Sequence, residues 1–587
     1  MEPFLVFDRV TFAYEQGEGP AIPALEDVSL QISQGEFVAV VGANGSGKST
    51  FARLINGLLI PRSGTVRVAS LDTRRIENRA QIAAAVGMVF QFPEDQIIST
   101  TVEEDTAFGP ANLVLQPDEI RSRVERALKD VGLWEMRRRP PHLLSAGQTQ
   151  RLALAGVLAM RPSCIVFDEA STMLDPSGRR SLMESMHRLH DEGTTIIFIT
   201  HFMEEAAQAD RMIVFDRGRV AADGSPVDIF SDPDRLAGLK LGLPAAVRIV
   251  DALRPYLGEF PHGLLTLPAL FSALPPYRDG VTPAQDERLQ AERLPASAES
   301  NSLIAVEDLG HTYLRGTPLA HRALDGVSLH VPAGRAHGLL GMTGSGKSTL
   351  LQHLNGLLRP QEGRVRVAEF DLNDPQIDRR NVVRRVGLVF QNPETQFFER
   401  YAGDEIAFGP RQLGVENLAE RVRWAMEQVG LDFAGYKDRT LFSLSGGERR
   451  KVALASTLAL QPSILLLDEP TAGLDPFSRW DLLEKLLQMQ AEGMTLVLSS
   501  HQMEDMAVLA QDLTVFNRGR DVTTGSTAEV FSQAGLLREN GLEPPAAVQA
   551  AAELRRKGWP VSEDVLTVEQ LEEQVKKAVQ VGRAGER

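Results

Sequence analysis

A chain of 587 residues with a single cysteine cannot build an internal disulfide or a cysteine-rich metal centre, and it fits a reducing compartment. That residue, Cys164, lies in the apolar run CIVF and reads as a small buried hydrophobe. A positive excess is missing too: the formal net charge of −16 argues against broad electrostatic binding to nucleic acid or anionic lipid. The long uncharged stretch Phe260 to Tyr277 is interrupted by Pro261, Pro268, Pro275 and Pro276, which excludes it as a membrane helix. The opening MEPFLVFDRV has neither a basic leader nor an extended apolar core, so no signal peptide is expected. What is present is an ordinary globular composition, 43% hydrophobic and 24% charged. The length calls for roughly three or four domains, and any work at a membrane would run through a docked partner.

Two stretches organise the chain, GANGSGKS at Gly42 to Ser49 and GMTGSGKS at Gly341 to Ser348. Each follows a short apolar run and leads into a helix-compatible segment ending in NGLL, which is the strand, glycine turn and helix of a phosphate-binding loop. Gly42, Asn44, Gly45 and Gly47, and likewise Gly341, Thr343, Gly344 and Gly346, would bring backbone N–H groups close to phosphate oxygens at a helix N-terminus. Lys48 and Lys347 would reach the β- and γ-phosphates, with Thr50 and Thr349 completing the loops. Ser49 and Ser348 would offer a hydroxyl to Mg²⁺.

Other features recur at nearly the same spacing. Gln91 and Gln391, Ser145 and Ser445, Asp168 and Asp468, and His201 and His501 are each 300 residues apart, and PAAV at Pro244 returns at Pro545. So long a period indicates two fused domains and not a solenoid. Each copy places a tyrosine upstream of its loop, Tyr14 and Tyr313, and a VGxVFQ strand ending on Gln91 or Gln391. A helical insertion follows, with Ile120, Val124, Leu128 and Val131 on one face and Leu418, Val422, Met426 and Val429 on its counterpart. LLSAGQ and SLSGGE should open long helices. Unalternating runs such as Ile196 to Ile199 and Ile464 to Leu467 should be strands buried on both faces of a mostly parallel sheet. The expected organisation is a first domain over 1–224 with a small C-terminal subdomain over 225–275, a flexible linker over 276–301 rich in Pro, Ala and mixed charge, a second domain over 302–525 and its subdomain over 526–587.

The acidic pairs Asp168–Glu169 and Asp468–Glu469 end apolar strands, where open α/β sheets bind ligands. Downstream of a phosphate loop, each aspartate suits water-bound Mg²⁺ and each glutamate can polarise a water for in-line attack on a γ-phosphate. His201 and His501 could hold that water or the phosphate, and Gln91 and Gln391 could contact metal and water.

The order aromatic, GxxxxGKS, Gln, LSxGx, Asp-Glu, LDP, His resembles that of ATP-binding-cassette ATPases over nearly the full length of both copies. LSAGQ at Leu144 and LSGGE at Leu444 look like the signature of that family. The resemblance implies an α/β fold of two tandem cassettes paired head to tail around two ATP molecules with Mg²⁺. One site would join the first loop, Tyr14, Gln91, Glu169 and His201 to Ser445 and Gly447; the other would join Lys347, Tyr313, Gln391, Glu469 and His501 to Ser145 and Gly147. The LDP aspartates Asp175 and Asp475 would lie at the seam. A serine and glycine at a helix start also suit the far side of a γ-phosphate physically.

FQFPEDQI with EEDTAFGPANL, and FQNPETQF with DEIAFGPRQLG, resemble more narrowly the ATPase pair of energy-coupling-factor transporters, importers of vitamins and of nickel or cobalt ions. That likeness implies a transmembrane coupling protein and a small membrane substrate-binding protein as partners, with the chain peripheral at the cytoplasmic face of the membrane. The segments after Gln91 and Gln391 would grip the coupling protein, and Glu94, Asp95 and Glu394 there would either pair with its basic groups or stand as solvated loop charges. Two departures stand out: Ala146 replaces the middle glycine of the signature, and Ala170 stands where the second copy has Pro470. Neither removes a catalytic group, so two hydrolysis-competent sites are expected, equal or unequal in rate. The alternatives are a cassette pair of another importer class and a soluble ATPase acting on ribosomes or DNA. Against the latter stand the acidic net charge and a short, proline-bearing linker without a helical stripe.

Overall fold

The computed structural model describes residues 3–16, 19–172, 174–277, 302–317 and 320–585. The expected linker thus lies, from residue 278 to residue 301, outside the described residues. The chain divides into two compact units, one of Met1–Pro244 with Asp475–Phe477, the other of Ala245–Leu474 with Ser478–Arg587.

In the first copy the apolar run Phe37–Gly42 becomes a strand buried at every position. It can be so because parallel neighbours satisfy its backbone on both edges: Thr195–Ile199 pairs Val40 with Ile199, and Arg211–Asp216 pairs Gly42 with Phe215. Cys164–Asp168 and Val86–Val89 continue the parallel array, and Arg219–Gly224 closes the other edge antiparallel. Among the described residues this makes a six-stranded sheet beside a four-stranded antiparallel one built on Leu5–Gln16. Cys164 is buried in this core, as its apolar context indicates.

The second copy repeats both sheets in the same strand order around Ala336–Gly341. That central strand carries a polar residue, His337, whose Nε2 is 2.8 Å from Thr514 Oγ1; burial holds the imidazole well below its usual range, at about 4, so it stays neutral in the core.

The insertions are helical as the periodicity requires. Pro117–Asp130 buries Val124 and Leu128, and Leu418–Gln428 buries Val422 and Met426. The signature serines act as N-caps: Ser145 opens Ala146–Met160 and Ser445 opens Gly446–Leu458, each in a capping box, with Gln148 and Glu448 respectively.

The segment 225–275 departs from the sequence expectation, which makes it one subdomain of the first copy. The structure divides it at Ala245. The helix Ala245–Leu257 has an apolar stripe of Ala246, Ile249, Val250 and Leu253, and these side chains are buried with Ala550, Leu554, Leu571 and Val575 of the second tail. Polar ties join the same elements: Lys557 Nζ donates to the carbonyls of Phe271 (2.7 Å) and Leu274 (2.6 Å), and Trp559 Nε1 donates to that of Pro275 (2.9 Å). An amphipathic helix goes to the largest apolar surface within reach, and repeat alignment does not reveal which copy supplies it. Leu253 is fully buried. Leu253→Ala is therefore expected to lower the stability of the second unit by about 2–5 kcal/mol, read as an earlier urea midpoint of an unfolding transition followed by Trp559 fluorescence.

Candidate functional site

The phosphate loops are shaped by residues that only glycine can replace without strain. At Gly47 the backbone has φ 104°, and a Cβ there would lie 2.5 Å from the carbonyl oxygen of Ala24; at Gly346 φ is 108° and the Ala323 oxygen would be 2.6 Å away. Both glycines are N-caps, opening the helices Lys48–Ile55 and Lys347–Leu354. Lys48 Nζ donates back to the carbonyls of Gly42 (2.9 Å) and Ala43 (3.1 Å), and Lys347 Nζ does the same to Gly341 (2.6 Å) and Met342 (3.1 Å). Burial drives the Lys48 pKa down, against the pull of Glu169, Asp168 and Asp475, the last of which belongs to the same compact unit.

Around each loop the structure gathers the expected groups. In the first copy Ser49 Oγ donates to Asp168 Oδ1 at 3.0 Å, Gln91 Nε2 donates to Glu169 Oε2 at 3.0 Å, and His201 Nε2 lies 2.6 Å from Glu169 Oε1. Lys48 Nζ stands 4.0 Å from the same carboxylate. In the second copy Ser348 hydrogen-bonds Asp468, and His501 approaches Glu469 Oε2 at 2.8 Å through Nδ1, the opposite ring nitrogen. Both glutamates sit just past a strand end in the left-handed region, with φ 54° at Glu169 and 49° at Glu469, which turns each carboxylate back toward its histidine.

The electrostatics separate the paired acids. Burial pushes Asp168 up to about 6, with Glu169 adding repulsion; Asp468 is raised for the same two reasons, though Ser348 and Ser499 hydrogen bonds oppose the shift. Burial also works against Glu169 and Glu469, but the neighbouring histidines and lysines overcome it and hold both below the usual carboxylate range. Each copy thus presents an ionised glutamate able to accept a proton beside a hydroxyl and a carboxylate made of hard oxygen donors. Among the described residues no cluster of three or more His, Cys, Asp or Glu could hold a metal alone. A serine and one aspartate nevertheless fit Mg²⁺, which takes few protein ligands and completes its shell with water and phosphate. Ser49 with Asp168, and Ser348 with Asp468, would hold it.

Tyr14 and Tyr313 stand at the rims, each 37% exposed and hydrogen-bonded to the loop threonine, Tyr14 to Thr50 at 3.2 Å and Tyr313 to Thr349 at 3.3 Å. A base could stack on either exposed face. Ser145 and Gly147, and Ser445 and Gly447, begin their own helices, in the first and second unit respectively.

The segments after Gln91 and Gln391 are fixed to the helical insertions by single carboxylates. Asp105 Oδ1 accepts from the N–H groups of Ile98 (2.9 Å) and Ser99 (3.1 Å); Glu405 Oε2 accepts from those of Phe398 (2.9 Å) and Glu399 (2.8 Å). Glu94 and Asp95 are exposed, while the side chain of Glu394 lies outside what the structure describes. Two polar residues that bear on the site escaped the sequence reading. Ser499 donates to Asp468 Oδ1 at 2.6 Å, and Arg450 donates to the carbonyls of Gln391 and Glu469, both at 2.9 Å. The second left a signal in the sequence, a cation where the first copy has Gln150.

The raised Asp168 pKa has a stability consequence. An unfolded aspartate ionises near 3.9, so above about 6 the native state carries a carboxylate that costs more there than in the unfolded chain. Below roughly pH 4 both states are protonated and the cost vanishes. Asp168→Asn should therefore stabilise the protein, free of nucleotide and metal, by on the order of 2 kcal/mol at pH 8. Thermal melts in a chelator should show the gain shrinking as pH falls through 6.

The model of the ABC transporter family matches residues 25–172 and again 324–472. A provisionally named ABC transporter ATP-binding protein of Caldanaerobacter subterraneus is 34% identical over 96% of this chain and 98% of its own length. The energy-coupling factor transporter ATP-binding protein EcfA1 of Symbiobacterium thermophilum is 50% identical over 46% of this chain and 96% of its own. Among solved structures, cbiO1 of Clostridium perfringens, part of the ABC transporter complex cbiONQ, is 32% identical over 43% of this chain and all of its own, with a TM-score of 0.37. Two matched domains on two copies of one α/β fold mean that the chain belongs to the ABC transporter family, as a tandem-cassette ATPase that uses ATP with Mg²⁺.

Proposed function

We propose that the two cassettes are the fused ATPase pair of an energy-coupling-factor-type importer, working at the cytoplasmic face of the membrane through a transmembrane coupling protein and a small membrane protein that binds the vitamin or metal-ion substrate. The observation that carries this reading is the 50% and 47% identity to two energy-coupling factor transporter ATP-binding proteins, each aligned over 94% or more of its length. Apolar exposure on the helical insertions supports a protein partner. Phe398 is 76% exposed and stacks on Phe408 at 5.2 Å, and Phe442 is 90% exposed. No described helix is long and apolar enough to cross a membrane.

In this reading the cassettes pair head to tail. The first loop, Glu169 and His201 work with Ser445 and Gly447, and Lys347, Glu469 and His501 work with Ser145 and Gly147. Mg²⁺, when bound, neutralises charge on the phosphates. Glu169 and Glu469, held ionised, orient the attacking water and accept its proton. His501 Nε2 is buried with no hydrogen-bond partner among the described residues, which leaves it available to a γ-phosphate. Lys48 and Lys347 exchange their carbonyl partners for phosphate oxygens. ATP adds charge-assisted contacts that favour the closed pair, and hydrolysis removes them.

Glu169→Gln and Glu469→Gln should each lower the ATPase rate per chain by the share of its own site, and the double variant should lower it by at least about tenfold, since each removes a general base; full wild-type rate in either single variant would sink the two-site reading. Expressed with its tag in its own membranes, the chain should co-purify with a small integral membrane protein. A chain that pelleted with ribosomes and never with integral membrane proteins would exclude the importer.

A further inference from the structure

Arg450 lies five residues past the capping serine in the helix Gly446–Leu458 and is 8% exposed. Its guanidinium donates to main-chain acceptors: Nη1 to the carbonyls of Glu469 (2.9 Å) and Pro470 (2.6 Å), and Nη2 to that of Gln391 (2.9 Å). One planar fork therefore joins the signature helix to the ends of two neighbouring strands, Val386–Val389 and Ile464–Asp468. Among the residues it holds is Glu469, whose left-handed backbone costs energy and must be held from outside. Burial lowers the Arg450 pKa to about 10, with Glu469 opposing, so the charge persists at neutral pH.

The first copy has the same strain without the same clamp. Glu169 has φ 54°, but position 150 is glutamine, 3% exposed, and its Nε2 is buried with no hydrogen-bond partner among the described residues. A carboxamide offers two donors from one nitrogen, where a guanidinium offers five in a wide fork, so glutamine cannot span the same three carbonyls.

We infer that Arg450 is a positioning residue of the second hydrolytic site, fixing the main chain of Gln391 and Glu469 so that their side chains keep one spacing about the attacking water, and that Gln150 leaves the first site without this clamp and slower. The inference rests on Glu469 being the base proposed above.

Steady-state ATPase measurements on the full chain test it. Arg450→Gln should lower kcat about tenfold with KM for ATP changed less than about twofold, because substrate binding is untouched and only orientation of the base is lost. Arg450→Lys should recover part of the rate, keeping a charge and three donors without the fork. Gln150→Arg should raise kcat. If Arg450→Gln fails to fold, the other two variants decide: a wild-type rate in Arg450→Lys together with no gain in Gln150→Arg overturns the clamp. In a folded Arg450→Gln, a kcat within about twofold of wild type, or a rise in KM matching the fall in kcat, overturns it too. Glu469→Gln separates the two layers: a full rate there removes the base itself, whereas a lowered rate in Glu469→Gln beside a wild-type rate in Arg450→Gln removes only the clamp.

Discussion

A carboxylate at the end of an all-apolar strand is a costly thing to keep ionised, and both copies are arranged around doing so. Glu169 and Glu469 lie at 8% and 7% exposure, where desolvation works against the charged form. A histidine within 2.6–2.8 Å and a lysine reverse that outcome. The adjacent aspartates, one residue earlier and pointing to the loop serines, go the other way. Two neighbouring acids with opposite shifts give one short strand end two carboxyl groups of different proton affinity, as the proposed base and metal ligand require. The left-handed turn at each glutamate makes this possible, since in an extended backbone consecutive side chains would point to opposite faces of the sheet.

That turn has to be held, and the two copies hold it differently. In the second, Glu469 N–H is within reach of both the Ser499 carbonyl (3.2 Å) and the Ser499 hydroxyl (3.1 Å), and Arg450 caps its carbonyl. In the first, the residue facing the same strand end is Ile199, which accepts from Glu169 N–H at 3.1 Å with its carbonyl but has no hydroxyl to add. The aspartate feels the same exchange: Asp468 accepts from Ser499, whereas Asp168 has an isoleucine beside it. Duplication preserved the strand order of both sheets while the second ring of polar residues diverged.

Much of this was legible in the sequence, and what was legible has a common physical source. Glycines at forced backbone angles, unbroken apolar strands and serines before a helix each have one dominant local cause, so Gly47, Ile464 to Leu467 and Ser145 are found where their chemistry requires. Arg450 is different because its partners are main-chain carbonyls on two distant strands. A cation two residues past Glu448 reads as one more solvated charge on a helix until the strands are seen to end beside it. The tail of the first copy is different for another reason. Its helix Ala245–Leu257 is amphipathic on inspection, but an apolar stripe specifies only that something covers it.

That tail also bears on how a fused chain differs from two separate ones. The helix Ala245–Leu257 and the turn through Pro275 belong to the chain before the linker, yet they share a core with Trp559, Leu571 and Val575 after it. Burying Ile249, Leu253 and Leu554 completely commits several kcal/mol of apolar transfer, on the order of 2 kcal/mol per side chain. Covalent connection makes this packing intramolecular, so it no longer depends on protein concentration. The connecting segment then needs only to be long enough to let the tails meet.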